Sequence, residues 1–228
     1  KAIFEGDTIE RQAALASLMD FTQQGTNAIL EKALDQLVAG KFPADSRLDL
    51  VTAAAKRAAG SIKGKVKAYQ SQLPKDDPGA EYLDCTEGGD VERGRKIFFE
   101  RAQVSCVRCH KAAGTGGDVG PDLTKLTSDP QKTRKYLLDA IVQPNKDIAK
   151  GFNSVVILDA EGRVLSGIVK QENDQRVELM TAEGKLTSVE KELIEERKPG
   201  KSPMPEDLTK HLTKFELRDL VEYLASLK

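Results

Sequence analysis

Two thiols and an imidazole stand together at Cys106-Val107-Arg108-Cys109-His110. Cysteines three positions apart lie on one side of a helical turn. Both sulfurs can therefore add to the two vinyl groups of one porphyrin, and the next residue presents an imidazole to the iron from the proximal face. A C-x-x-C can also be a redox pair or half of a zinc site. Zinc needs a second ligand pair, and the chain holds no other C-x-x-C and only one other histidine, His211. A thioredoxin-like pair opens a helix directly after a βαβ-type strand, and Val104 alone is a poor strand. The spacing favours one covalently attached haem c, held by Cys106 and Cys109 with His110 as proximal ligand.

Composition limits what else the chain can be. Its 228 residues suffice for one large or two small domains. With 35 basic and 36 acidic residues the net charge is −1, which gives no electrostatic case for nucleic acid. No apolar stretch is long enough to span a bilayer. Lys1-Ala2-Ile3-Phe4-Glu5 is followed by charge, not by the apolar core of a secretory signal. Covalent haem attachment normally happens outside the cytoplasm, so the chain is expected to be exported, periplasmic or equivalent, and to be a mature form or a fragment of something longer. Three cysteines leave Cys85 over once a haem has taken two. Among Asp, Glu and Gly residues it is expected to be exposed and able to link two chains by a disulfide, the alternative being an unpaired, half-buried thiol. There is no tryptophan and aromatics make up 5%, so a cofactor is expected to supply apolar bulk to one core.

The elements that must position the motif follow from periodicity. Residues 1 to about 73 read as helix throughout, in four segments punctuated by Gly25, Gly40, Gly60 and Pro74. Leu30, Leu34, Leu37 and Val38 share one face of the second segment; Ile62, Val66, Tyr69 and Leu73 share one face of the fourth. Stacked antiparallel hairpins are expected, either a small bundle or a piece of helical repeat. This region has no His and no Cys and reads as a packing or docking module. Pro74-Lys-Asp-Asp-Pro-Gly79 is the best boundary. The expected division is an α-helical region over 1–76, a linker over 77–89 and a second unit over 90–228. In that unit Asp90 caps a helix running to about Ala102, and Asp129-Pro130 opens another ending near Pro144. The period then changes. Phe152 to Leu158, Val164 to Lys170, Arg176 to Thr181 and Lys185 to Val189 are β-rich runs separated by turn signals, a meander of three or four strands at about 150–190. Thr213 and Glu216 fit a capping box for a last helix whose stripe is Leu217, Leu220, Val221, Leu224 and Leu227.

With these residues in view, the chain resembles the cytochrome c family over residues 90–143 and 200–228. The family has Gly and an aromatic four apart on its first helix, here Gly94 and Phe98. It then has C-x-x-C-H, a Gly-Pro with a Leu soon after (here Gly120-Pro121 and Leu123), a loop bringing an axial Met, and a closing helix that crosses the first. Ser202-Pro203-Met204-Pro205 resembles that loop. His110 and Met204 stand 94 residues apart, more than small members need, and the meander accounts for the excess. The combination is similar to the haem-binding domain of planctomycetes and verrucomicrobia, where a strand insertion precedes the Met loop. The resemblance implies a mainly α fold: N-terminal helical hairpins, then a cytochrome c fold carrying an antiparallel β insertion. It also implies that the N-terminal helices are the tail of a helical-repeat region, in a larger exported protein that carries a dehydrogenase-like propeller.

Physical reasoning assigns roles beside the resemblance. His110 must be neutral, and its second ring nitrogen needs an acceptor, for which the Pro121 carbonyl is suitable. Phe98, Leu123 and the last helix are expected to wall the porphyrin; each would also serve as ordinary core. Met204 sits between prolines, where a packing methionine is out of place, and is expected as distal ligand; Met19 and Met180 read as packing. His211 is the rival ligand, or a surface histidine. The expected function is one-electron transfer between a dehydrogenase donor and a downstream acceptor, with the chain an electron carrier and not itself an enzyme. The alternatives are a gas-sensing or peroxidatic haem with an open sixth position, and an interaction scaffold in which the haem is a structural staple.

Overall fold

The computed structural model describes residues 1–21 and 24–228. The chain starts with five helices: α1 (Ala2–Glu5), α2 (Thr8–Asp20), α3 (Asn27–Val38), α4 (Arg47–Ala55) and α5 (Gly60–Gln70). Thr22 and Gln23, inside the stretch read as continuous helix, lie outside the described residues. α2 opens on a capping box in which Asp7 accepts from the Glu10 N–H at 2.8 Å and the Asp7 N–H donates to Glu10 Oε2 at 3.2 Å. α2 packs mainly on α4, and α3 on α5, around Leu15, Leu30, Leu34, Phe42, Leu50 and Ile62. The first expected segment is split at Gly6-Asp7, because Asp7 starts a new helix. Gly60, expected just past a helix end, instead opens α5. The chain leaves α4 early because Arg57 turns inward. Its Nη2 donates to the carbonyls of Leu18 (2.6 Å) and Phe21 (2.8 Å), closing the carbonyl end of α2.

The stretch expected to be an exposed linker is packed. Asp77 accepts from the Gly79 N–H at 2.8 Å, from Gln143 Nε2 at 3.0 Å and from Lys135 Nζ at 3.0 Å. A 3₁₀ turn over Ala80–Cys85 follows. It is tied to two helices: Tyr69 of α5 donates its hydroxyl to Asp84, and Lys214 Nζ, near the end of the chain, donates to the Glu81 carbonyl at 2.6 Å. Cys85 therefore faces inward and is 0% exposed, in one core with Phe98 and Leu220. Burial pushes its thiol up to about 12. The expectation of an exposed thiol that bridges two chains is wrong. The residues that suggested exposure are themselves packed: Asp84 is half-buried against Tyr69, and Gly88 and Gly89 lie close against the backbone of Asp45 and Arg218, so Cys85 acts as a small apolar side chain.

Next come α6 (Val91–Glu100), the single turn α7 (Cys106–Cys109), a short hairpin of β1 (Lys111–Ala112) and β2 (Thr115–Gly116), α8 (Arg134–Val142) and, at the end of the chain, α9 (Lys214–Ser226). Asp90 caps α6 through the Arg93 N–H at 2.8 Å, and Thr213 and Glu216 form the capping box of α9. α8 opens on Thr133, not on Asp129-Pro130: the Asp129 carboxylate accepts from the Gln131 N–H in a turn, and Thr133 accepts from the Tyr136 N–H. α6 and α9 cross at Gly94. A Cβ there would fall on the Asp219 carbonyl oxygen, so only glycine permits this approach. The crossing is fixed by Arg93 Nε on Asp219 at 2.6 Å and by Phe98 stacked near Tyr223.

The N-terminal helices are joined to this unit. Leu48 of α4 shares its core. Arg218 of α9 donates to Asp49 of α4 at 2.6 Å, with side chains 4% and 6% exposed. Gln12 Nε2 donates to the carbonyls of Asp45 and Gly88, both at 2.8 Å.

Between α8 and the Met204 loop lie five antiparallel strands: β3 (Ser154–Asp159), β4 (Val164–Glu172), β5 (Arg176–Met180), β6 (Leu186–Glu190) and β7 (Ile194–Pro199), adjacent in the order β6-β5-β4-β3-β7. β3 pairs with the first half of β4 and β5 with the second, with a register shift between Val169 and Gln171. The two edges, β6 and β7, are joined by Lys191–Leu193 alone. In a flat sheet those edges would stand about 19 Å apart, whereas three residues of 3₁₀ helix rise about 6 Å. The sheet must therefore curl onto itself. The Lys191 N–H donates to Gln175 and the Ala160 N–H to Leu193, both at 2.8 Å, so the short connection stays bonded to β5 at one end and to β3 at the other. Ile157, Val177, Leu179 and Val189 fill the resulting small barrel. β7 was not expected. Ile194-Glu-Glu-Arg-Lys-Pro199 has a single aliphatic residue and no alternation, and it is held by pairing to β3 and by Arg197 on Glu172 at 2.9 Å. No helix among the described residues is long and apolar enough to cross a membrane.

Candidate functional site

Beyond α6 the chain turns through Ser105, whose φ of +43° lets α7 start in a new direction. α7 puts Cys106 and Cys109 on one side of a single turn, and the His110 N–H donates to the Cys106 carbonyl at 2.9 Å. The loop that follows folds back over the motif. The Gly117 N–H donates to Val107 at 2.9 Å and the Gly120 N–H to Cys109 at 2.7 Å. A Cβ on Gly120 would lie 2.5 Å from His110 Cε1, so glycine leaves room for the ring. His110 Nδ1 lies 2.9 Å from the Pro121 carbonyl oxygen, the acceptor expected from sequence. A carbonyl can only accept, so Nδ1 carries the hydrogen and Nε2 keeps its lone pair. Burial lowers the His110 pKa below the usual imidazole range, against the opposing pull of the Pro121 hydrogen bond, which favours the neutral, ligating form.

Cys106, Cys109 and His110 open onto a cavity of about 400 Å³. Leu123 and Leu126 line it after the motif, Tyr136, Leu137 and Ile141 from α8, and Leu224 from α9. Phe152, just before β3, and Ile168 of β4 bring the barrel to the same space. Pro203, Met204 and Pro205 line it as well. The Thr127 N–H and hydroxyl both donate to the Leu227 carbonyl, at 2.9 and 2.6 Å, tying the end of the chain to this wall.

Of the residues singled out in the sequence, Cys106, Cys109, His110, Pro121, Leu123 and Met204 all reach this cavity. Phe98 does not. It is 1% exposed at the crossing of α6 and α9 and supports the wall from behind, because its stacking partners Phe99 and Tyr223 hold it in that crossing. His211 is exposed at the end of a 3₁₀ turn and away from the cavity lining. Phe152 and Ile168 were missed: each is one apolar residue in a β-rich run, and only the curl of the sheet aims it at the cavity. Tyr136 and Leu137 were legible as part of the α8 stripe, but not as cavity wall.

The residues present fit a c-type haem. The cavity wall is mostly apolar and offers two unpaired thiols, an imidazole with a free Nε2 and a thioether. Burial pushes the Cys106 thiol up to about 11. That direction is opposite to the lowered thiol of a redox C-x-x-C. Among the described residues, no three His, Cys, Asp or Glu side chains converge as a zinc site would require.

Residues 91–154 match the model of the family described as Cytochrome c. The matched stretch runs from the start of α6 through the C-x-x-C-H turn and α8 to the first residue of β3. No curated protein matches the chain. The match supports a haem-binding electron-transfer module with covalently bound haem c in this part of the chain.

Proposed function

We propose that residues 90–228 act as a single-haem c-type cytochrome module, with Cys106 and Cys109 as thioether attachment points and His110 Nε2 and Met204 Sδ as axial ligands. The observation that carries this reading is that all four side chains line one cavity. A haem held there would supply a reversible ferric–ferrous couple. The protein's part is to bind, orient and exclude water. The Pro121 carbonyl holds the His110 ring in one tautomer and orientation and raises its basicity. Leu123, Leu137, Ile141 and Leu224 keep the slot at low dielectric, which is one of the levers on its potential. Pro203 and Pro205 restrict the loop and lower the entropy lost in holding the Met204 sulfur in place.

In the same reading the barrel is an insertion between α8 and the axial Met loop, of the planctomycete and verrucomicrobial type. The chain works outside the cytoplasm, takes electrons from a dehydrogenase and passes them to a downstream acceptor, and its N-terminal helices belong to a helical-repeat region. Absorption spectra of the full chain, oxidised and reduced, with and without carbon monoxide, test the core of the proposal. The expected result is a low-spin haem with the absorption of a methionine–iron bond when oxidised, and no rapid carbon monoxide binding at neutral pH. A high-spin haem that binds carbon monoxide stoichiometrically would replace this reading with a gas-sensing or peroxidatic one.

A further inference from the structure

The loop that carries Met204 makes little structure of its own. Within it, the Met204 N–H donates to Ser202 Oγ at 3.2 Å. Lys201 Nζ also donates to Glu206 across it, at 3.2 Å, but both side chains are exposed to water; its buried support comes from far along the chain. Ser154, the first residue of β3, is 6% exposed, and its hydroxyl donates to the Lys201 carbonyl at 2.5 Å. The Ser154 carbonyl in turn accepts from the Gly200 N–H at 2.9 Å. A Cβ on Gly200 would lie 2.3 Å from Ser154 Oγ, so glycine is what lets the loop leave β7 this close to the hydroxyl. Asn145, just past α8, accepts from the Ser202 N–H at 2.7 Å and donates to Glu206 at 2.5 Å. One amide thus grips the loop two residues before and two residues after Met204.

Building on the axial assignment of Met204, we infer that Ser154 and Asn145 are positioning residues for the distal ligand: the barrel and the end of α8 hold the methionine sulfur at the haem. β3 begins and β7 ends at this loop, so the β3–β7 ladder, which pairs Val155 with Pro199, also fixes where the loop starts. Ser154 carries more of the effect than Asn145. Its hydroxyl is buried, and its loss leaves the Lys201 carbonyl without that donor, whereas Asn145 is exposed and water competes for its bonds.

The test uses the full, haem-loaded chain. Ferric methionine–iron absorption, midpoint potential and carbon monoxide association to the ferrous form are measured beside thermal unfolding. Ser154→Ala is expected to weaken the methionine–iron absorption, lower the potential and speed carbon monoxide association by about ten-fold; Asn145→Ala should do the same at about three-fold, the ratios expected for losing a buried and an exposed hydrogen bond. Ser154→Thr, which keeps the hydroxyl, should restore the parent values. Asn145 is on the surface, so its variant keeps the test open if Ser154→Ala folds poorly. Unchanged spectra, potential and association rates in both alanine variants, with Met204→Ala altering all three, would overturn the inference and leave the axial assignment standing. If Met204→Ala itself alters nothing, the axial assignment falls and the inference falls with it. Equal effects of Ser154→Thr and Ser154→Ala would also overturn the role of the hydroxyl.

Discussion

Between Cys106 and Leu123 the chain builds the His110 side of the cavity from its own neighbourhood: the hydrogen bonds that fold the glycine-rich loop back on the motif stay within this run, and His110 meets Pro121 only 11 residues on. The Met204 side is assembled from a distance. Ser154 reaches the loop across 47 residues and Asn145 across 57. A local site can form once its turn forms. A site assembled over such separations forms only after the barrel has closed and α8 has docked, since long loops must be ordered before their contacts are made. The two sides of one cofactor slot are thus expected to differ in robustness: attachment and proximal ligation should survive damage that loosens the distal side.

The largest effect would come from Cys106→Ser combined with Cys109→Ser. Haem should no longer migrate with the denatured polypeptide in electrophoresis, whereas Met204→Ala should retain covalent haem in full. If Met204→Ala abolished attachment, the two sides would not be separable. Next in size is the spectral effect of Met204→Ala: the ferric haem should become at least partly high-spin, the potential should fall, because a soft thioether favours ferrous iron, and the ferrous form should take up carbon monoxide. Gly120→Ala probes the proximal side by crowding. A Cβ placed 2.5 Å from His110 Cε1 forces the ring or the loop to move, at a cost of about 1–3 kcal/mol in denaturant unfolding. That loss should appear without any opening of the distal site to carbon monoxide.

A smaller effect is expected from pH. Arg197 and then Lys191, hydrogen-bonded to Glu172, hold its carboxyl at about 2, well below its usual 4.5. A depressed carboxylate contributes stability that is complete above the unfolded value and is lost as pH falls from about 4.5 towards 2. The pair is partly exposed, so the amount is under about 1 kcal/mol. Glu172→Gln should remove this part of the acid sensitivity, read by thermal unfolding at stepped pH, and should leave the attached haem in place. Smallest of all, His211→Ala should stay within about 0.5 kcal/mol of the parent and leave spin state and potential unchanged. A high-spin His211→Ala with an unchanged Met204→Ala would move the distal ligand to His211.

The same contrast explains what could be read in the sequence. Cys106, Cys109, His110 and the Pro121 acceptor were legible because their chemistry fixes their spacing. The caps at Asp90 and Thr213 were legible for a similar local reason. Met204 stood out because two prolines made ordinary packing an odd role for it. What escaped notice depends on tertiary structure. β7 has almost no apolar pattern, and its pairing is supplied by β3. Phe152 and Ile168 became cavity wall only when the sheet curled. Cys85 was misread because polar neighbours along the chain do not tell which side of a 3₁₀ turn faces the core, and Phe98 because one core served both the helix crossing and the back of the slot.

The Arg218–Asp49 pair has a consequence for how such chains change over generations. Both side chains are nearly free of water, so removing either one alone strands a charge and costs about 3–5 kcal/mol, whereas replacing both with well-packed apolar residues is often neutral. Each single step therefore passes through a poorly stable ancestor. Descendants are expected to hold either both charges or neither, and the join between the amino-terminal helices and the closing helix should be inherited as one trait, although its two halves lie 169 residues apart.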